Sequence, residues 1–177
     1  SSWSEQAWAE PLLQLVQITK RFETLIALQD VSLQVQPGEV VGLVGRRGTG
    51  KSTLLQLIGG LHQPTSGAVI FDGAAVRFSN PAQAQALGIS MVHQTPLLAE
   101  NLDVIANVSL GREVKGRRIG GLPDDMNMAR RAVELLAAFD AANMVNVKVS
   151  NLSDEQRQIV AIARALCVPA RLLLLDD

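Results

Sequence analysis

The stretch Gly45-Arg-Arg-Gly-Thr-Gly-Lys51-Ser52 decides the fold of this 177-residue chain. It matches the pattern G-x-x-x-x-G-K-[ST] at every fixed position, and it lies between an apolar run and a helical pattern. Glycines in such a loop let backbone N–H groups turn toward a phosphate and approach it closely. Lys51 can reach the terminal phosphates of a nucleotide, and the Ser52 hydroxyl can ligate Mg²⁺. We therefore predict a P-loop that binds ATP and Mg²⁺, rather than a chance glycine-rich turn.

The predicted phosphate contacts extend from the loop into the first turn of the following helix. The positive end of that helix faces the same anion, because its first N–H groups have no partner within the helix. The nucleotide-binding residues predicted for this segment are Gly45, Arg46, Arg47, Gly48, Thr49, Gly50, Lys51, Ser52 and Thr53.

Strand and helix patterns alternate on both sides of the loop. Glu39 to Val44 is a short apolar run, typical of a strand buried on both faces, and Lys51 to Ile58 is a helix pattern that ends at Gly59-Gly60. The other predicted strands are Leu12 to Thr19, Val31 to Gln36, Ala68 to Phe71, Ile89 to Val92 and Arg171 to Asp177, and the other predicted helices are Pro81 to Leu87, Val104 to Leu110, Met126 to Phe139 and Leu152 to Leu166. This alternation predicts an α/β domain with a mainly parallel sheet. We predict a single domain, with a nucleotide-binding core at 12–95 and 153–177 and a helical subdomain at 96–152.

Four leucines carry Asp176 to the C-terminal end of the last predicted strand. Ligands of parallel sheets bind at this edge, so Asp176 fits the Walker B aspartate that holds Mg²⁺. The alternative is a surface carboxylate that simply ends a strand.

Composition excludes some classes of protein. The 16 basic and 17 acidic residues nearly balance, which argues against a dedicated nucleic-acid binder. No apolar run approaches the ~18–20 residues that span a bilayer, and Ser1 to Glu10 lacks the pattern of a signal peptide. Cys167 is the only cysteine, so a disulfide within the chain and a Cys-based metal site are excluded, and a reducing, cytosolic compartment is expected. Both histidines, His62 and His93, are interpreted as ordinary loop or strand residues.

The order of these motifs resembles the ATP-binding cassette (ABC) ATPases over about Leu12 to Asp177. Phe22 falls where that family places an aromatic that stacks on adenine, although a Phe in an apolar stretch can equally belong to the core. Gln94 matches the Q-loop glutamine, which contacts Mg²⁺ and the attacking water. Leu152-Ser-Asp-Glu-Gln156 lies where the family signature L-S-G-G-Q belongs.

The resemblance implies a fold and a set of roles. The fold would be a P-loop NTPase (RecA-like) core with an antiparallel β subdomain and a helical insertion. The implied catalytic residues are Lys51, Gln94 and Asp177, the implied metal ligands are Ser52, Gln94 and Asp176, and the implied nucleotide contacts beyond the loop are Phe22, Ser153 and Gln156. Ser153 would act on the nucleotide held by a second cassette.

Several details look like the sugar-import branch of the family: Ala27-Leu28, Pro37-Gly38-Glu39-Val40 and Asn107-Val-Ser-Leu-Gly-Arg-Glu113. The implied function is an ATP-binding subunit that hydrolyses ATP to drive solute import, with a sugar as the expected solute. The implied partners are transmembrane permease subunits and a second cassette, in a homodimer or a fused chain. The implied location is the cytoplasmic face of the cell membrane.

The chain also departs from the family pattern. It stops at Asp177, before the D-loop and the switch histidine, so we expect an incomplete C-terminal part. Asp177 replaces the usual Glu, which sets the carboxylate back and predicts slow hydrolysis. Asp154 and Glu155 replace the signature glycines; they also suit an ordinary helix start, with Ser153 as N-cap and Gln156 completing a capping box. The alternative function is therefore a degenerate nucleotide-binding module with little or no hydrolysis.

Overall fold

The computed structural model of the protein describes residues 10–110, 118–119 and 122–176. Between Leu87 and Gly88 the chain divides into two units, Ser1–Leu87 and Gly88–Asp177. Within the described residues, no helix combines the length and the apolar character needed to cross a membrane.

The first unit is built on a four-stranded antiparallel sheet of order β2-β1-β3-β4. Two helices accompany it. The elements are β1 (Leu13–Phe22), β2 (Leu25–Val35), α1 (Lys51–Ile58), β3 (Ser66–Phe71), β4 (Ala74–Val76) and α2 (Pro81–Ala86). The sheet confirms the antiparallel subdomain that the family resemblance implies.

A bulge in β1 changes which positions of the strand are buried. Leu13 and Leu15 are buried at the period of two expected for a strand, and the next buried side chain is Ile18. The register between β1 and β2 shifts between Leu15 and Ile18, where Gln17 has a φ of 48°. A Cβ at Gly67 of β3 would lie 2.4 Å from the Gln17 carbonyl oxygen, so only glycine fits beside the bulge.

The second unit combines one parallel strand pair with a helical core. Strand β5 (Ile89–Val92) pairs with β8 (Leu172–Leu175), and β6 (Arg118–Ile119) forms a short hairpin with β7 (Leu122–Pro123). The helices are α3 (Val104–Ser109), α4 (Asp124–Ala138) and α5 (Asp154–Leu166), with single 3₁₀ turns at Ala142–Met144 and Val149–Asn151. Their apolar faces pack together through Val104, Val108, Ala132, Leu136, Val160 and Ala163, all fully buried.

Most predicted elements are confirmed, but the strand predicted at Glu39 to Val44 is wrong. This segment forms no strand, and Val40 and Val44 are 97 % and 98 % exposed. A strand needs a neighbour to complete its ladder, and parallel pairing in the described residues is confined to β5 and β8. Within the described residues, the segment Glu39 to Val44 therefore has no neighbouring strand on either side. By contrast, the helix predicted at Lys51 to Ile58 and the strand at Ile89 to Val92 have the predicted bounds.

Candidate nucleotide-binding site

The loop before α1 is shaped by glycines and closed by its own lysine. Gly48 and Gly50 have φ of 82° and 89°, a left-handed conformation that other residues rarely adopt. The Lys51 ammonium donates to the carbonyl oxygens of Gly45, at 2.6 Å, and Arg46, at 2.8 Å. The Thr49 hydroxyl donates to the Arg46 carbonyl as well, at 2.8 Å. The loop thus curls around the lysine side chain, and contact of Lys51 with nucleotide phosphates stays a prediction.

The absence of a side chain at Gly50 also lets this loop approach the antiparallel sheet closely. A Cβ at Gly50 would lie 2.4 Å from the Ala27 carbonyl oxygen and 2.8 Å from Leu28 Cδ2. No side chain can occupy this position without moving the backbone of β2. Sequence reasoning missed the contact, because Ala27-Leu28 carries only a resemblance to the sugar-import branch.

The N-terminus of α1 suits an anion. Gly50 is the N-cap residue and offers no capping side chain, and the first turn contains no acidic residue. The N–H of Leu54 bonds to the Gly50 carbonyl, so no backbone carbonyl within the helix is available to the three residues before it. The positive end of the helix dipole, Lys51 and the exposed Arg46 and Arg47 all favour negative charge here. The residues present therefore fit a polyphosphate.

Phe22 lies at the end of β1 and is 37 % exposed. This exposure removes the alternative that Phe22 is a core residue. Its ring contacts Lys20 and His62, which sequence reasoning did not connect with it. Stacking of adenine on Phe22 stays a prediction.

In the second unit, Gln94 and Asp176 follow the two paired strands at one edge. Asp176 comes directly after β8, is buried, and its N–H donates to the Val92 carbonyl at 3.0 Å. Gln94 lies two residues beyond Val92 and is exposed. Because β5 and β8 run parallel, their C-terminal ends bring these two residues to the same edge. Both carry oxygen donors of the kind that Mg²⁺ prefers, as does the Ser52 hydroxyl in the first unit. Asp177 lies outside the described residues.

The predicted capping box at α5 is confirmed. The Ser153 hydroxyl accepts from the Gln156 N–H at 3.2 Å, and the Gln156 side-chain oxygen accepts from the Ser153 N–H at 2.9 Å. Asp154 and Glu155 are exposed in the first turn, where the helix dipole favours acids. The interpretation as an ordinary helix start therefore accounts for all four residues. Any role toward a nucleotide in a second cassette remains a prediction.

Asn107 is a structural residue that sequence reasoning missed. It is fully buried in α3. Its side-chain oxygen accepts from the Ala99 N–H at 2.7 Å, and its amide donates to the carbonyls of Ala99 and Asp103, both at 2.9 Å. These hydrogen bonds hold the backbone of the segment between Gln94 and α3 against the Asn107 side chain. The one signal in the sequence is a polar amide within an apolar helix pattern. Such an amide can be buried at low cost only when its polar atoms are hydrogen-bonded.

Two arginines tie the same segment to α5. Arg164 Nη1 donates to the Leu97 carbonyl at 2.9 Å, and Arg157 Nη1 lies 3.2 Å from Glu100 Oε1. The chain after Gln94 is thus bonded to the helix that the signature begins.

Comparison with known proteins agrees with these features. The profile of the family described as ABC transporter matches residues 28–177. A curated relative, "Ribose import ATP-binding protein RbsA 1" of Burkholderia pseudomallei (strain 1710b), is 40 % identical over 174 residues, which are 98 % of this chain and 20 % of the relative. The chain spans 20 % of the length of this relative and 33 % of the length of "Ribose import ATP-binding protein RbsA" of Burkholderia mallei (strain ATCC 23344), with which it is 40 % identical over 168 residues.

Solved structures show the same fold. A nucleotide-free ATP-binding cassette from an ABC transporter superposes with a TM-score of 0.82 at 28 % identity, covering 94 % of this chain and 69 % of the other. A dimeric cassette in a post-hydrolysis state, bound to ADP and Pi, superposes with a TM-score of 0.75 at 30 % identity, covering 93 % of this chain and 73 % of the other.

Proposed function

This chain belongs to the ABC transporter family, and on that premise we propose that it binds Mg-ATP and hydrolyses it to drive the import of a sugar. The observation that carries the proposal is the loop around Lys51, whose uncapped helix start and left-handed glycines suit a polyphosphate. The sugar rests on the similarity to the ribose import relative.

The proposed roles follow the chemistry of phosphoryl transfer, which needs positioning and neutralisation of charge. Lys51, the P-loop amides and the first turn of α1 hold the phosphates, and Phe22 stacks on adenine. Ser52, Gln94 and Asp176 act as magnesium ligands. Bound Mg²⁺ neutralises charge on the phosphate oxygens. Gln94 and Asp177 orient the attacking water.

The proposed partners are transmembrane permease subunits and a second cassette, at the cytoplasmic face of the membrane. Ser153 and Gln156 would then contact the nucleotide of that second cassette. The solved dimeric relative bound to ADP and Pi supports pairing of cassettes. We also keep the proposal that residues 12–95 and 153–177 form a nucleotide-binding core, with 96–152 as a helical subdomain.

Hydrolysis is proposed to be slow. Asp177 is one methylene shorter than the Glu that the family pattern has at this position, and a misplacement of about 1 Å can cost ~10²-fold in rate. Asp177→Glu should therefore raise phosphate release at saturating ATP while leaving ATP affinity unchanged. A turnover number that does not rise would contradict this part of the proposal.

The proposed function is tested by calorimetric ATP binding and by phosphate release, both with Mg²⁺. Lys51→Ala should weaken ATP binding about 10- to 100-fold, because it removes a charged donor to the phosphates. Lys148→Ala, which removes an exposed lysine of the second unit, serves as the matched control and should bind ATP normally. Equal affinities of the two variants would overturn the proposal. Binding without phosphate release would instead identify a nucleotide-binding module with little or no hydrolysis.

A further inference from the structure

Phe22 is held on two sides by residues outside the P-loop. The Lys20 ammonium lies over the Phe22 ring, 4.9 Å from its centroid. The His62 ring contacts it at an interplanar angle of 79°, with a centroid distance of 5.1 Å. With 37 % of the residue still exposed, the ring is oriented and remains accessible.

Lys20 is itself anchored. Its ammonium donates to the Gln63 carbonyl at 2.8 Å, and the Gln63 side-chain oxygen accepts from Arg77 Nε at 3.0 Å. A free lysine loses much rotamer entropy when it is held over an aromatic ring. Here the hydrogen bond to the chain after α1 already fixes the side chain, so the cation stays over the ring.

The pairing of β1 with β2 shows which face of the hairpin carries this cluster. Lys20 pairs directly with Leu28, and directly paired residues project on the same face of a sheet. Leu28 is the residue whose side chain packs against Gly50 of the P-loop. Phe22 is two residues beyond Lys20, and the ammonium over its ring places it on the same face. The Phe22 ring therefore lies on the face of the hairpin that carries the P-loop.

The separation also suits a nucleotide. Leu28, which packs against Gly50, is the direct partner of Lys20. Lys20 is two residues from Phe22, or roughly 7 Å along β1. A ligand with its phosphates in the loop and an aromatic base on Phe22 would bridge this distance through its sugar.

We propose that Lys20 and His62 are positioning residues that hold the Phe22 ring for stacking on the adenine base. This inference rests on the proposed binding of ATP. The ammonium on the ring draws electron density toward itself and so favours a purine against the ring. The contact with His62 restricts rotation of the ring.

The competing explanation is that Lys20, Phe22 and His62 only stabilise the end of the hairpin. The two explanations differ in what the cluster does for a ligand that has phosphates but no base. Calorimetric titrations with ATP and with inorganic triphosphate, both with Mg²⁺, therefore separate them. The test uses Lys20→Met, His62→Ala and Phe22→Ala, with Arg21→Met as the matched control, because Arg21 alternates to the other face of β1.

Phe22→Ala should weaken ATP binding roughly tenfold, as expected for loss of one stacked base. Lys20→Met and His62→Ala should each weaken it about two- to fivefold, the range of a cation–π or aromatic pair. Triphosphate affinity should not change in any of them. Lys20→Arg and His62→Phe should restore ATP affinity, since they keep the cation and the edge-to-face contact. In the Phe22→Ala background, Lys20→Met should have no further effect, because Lys20 acts through the ring.

The outcomes separate this inference from the proposed function. ATP binding that depends on Lys51 but is unaffected by Lys20→Met and His62→Ala would overturn the inference alone. An equal loss of ATP and triphosphate affinity would also overturn it, because the cluster would then be merely structural. Failure of the unmodified chain to bind ATP would overturn the proposed function and this inference together.

Discussion

The N-termini of α1 and α5 face the same physical problem and resolve it differently. Every helix begins with N–H groups that have no partner within the helix. At α5, the side chains of Ser153 and Gln156 satisfy two such N–H groups reciprocally, and Asp154 and Glu155 add negative charge. At α1, Gly50 supplies no capping side chain and the first turn contains no acid. The start of α5 therefore has a capping side chain, and the start of α1 has none.

The difference shows where the chain gives up local stability for function. A capping side chain stabilises a helix by about 1 kcal/mol relative to Ala at the N-cap but by only a few tenths of a kcal/mol relative to Gly, and α1 begins with Gly50. Gly50 also occupies a left-handed conformation and leaves no room for a side chain beside Ala27. By contrast, α5 begins with an N-cap serine, a capping box and two acidic residues in its first turn. The helix start that lacks a capping side chain is therefore the one at the loop that we propose to bind phosphate.

The largest effect is expected from adding a methyl group at the start of α1. Gly50→Ala combines a left-handed φ of 89° with a contact of 2.4 Å to the Ala27 carbonyl oxygen. We expect the free energy of unfolding to fall by about 2–3 kcal/mol and ATP binding to be lost. Urea denaturation and calorimetry measure the two effects.

Two other glycines serve as controls for Gly50→Ala. Gly48 has a φ of 82° but no atom within 4 Å of an added Cβ, so Gly48→Ala should cost about 1 kcal/mol from strain alone. Gly42 has neither feature, and Gly42→Ala should be neutral. If Gly50→Ala were no worse than Gly48→Ala, the contact with β2 would not matter.

A smaller effect is expected from opening the capping box at α5. Ser153→Ala removes the acceptor of the Gln156 N–H and should lower the free energy of unfolding by about 1 kcal/mol. Ser153→Asp keeps an acceptor and should retain most of the stability. ATP affinity of the purified single chain should not change in either variant, because Ser153 acts, in our proposal, on a second cassette. A loss of affinity in a monomeric sample would contradict the separation of the two helix starts.

The smallest effect is expected from neutralising the acids of α5. The double substitution Asp154→Asn with Glu155→Gln removes favourable charge near the positive end of the helix. We expect a loss of about 0.3–1 kcal/mol at low salt, and less in 1 M NaCl because salt screens exposed charges. Denaturation at both salt concentrations measures it. A loss that does not depend on salt would mean that the acids act through hydrogen bonds instead.

Features that depend on residues close in sequence were predictable. The bounds of α1, the capping box and the position of Asp176 after an apolar strand all follow from spacing over a few residues. Each of these local patterns has one low-energy solution, which tertiary contacts did not change.

Features that depend on a distant partner were not predictable. The run Glu39 to Val44 has the composition of a buried strand, yet no neighbour in the described residues pairs with it. The partners of Asn107 are near in sequence, but Ala99 lies outside α3, so the helix pattern alone does not predict its hydrogen bonds to the Asn107 side chain. His62 looked ordinary because its contact with Phe22 depends on how the chain after α1 returns to β1.

The capping box also determines how fast two backbone hydrogens exchange with deuterated solvent. The N–H groups of Ser153 and Gln156 are each bonded to a side chain, and each bond must open before its own hydrogen can exchange. No capping side chain slows exchange at the start of α1. In a single deuterium-labelling experiment, the exchange rates of the Ser153 and Gln156 N–H groups would thus serve as an internal reference. The slowing of exchange at the start of α1 by an added nucleotide could be measured against them.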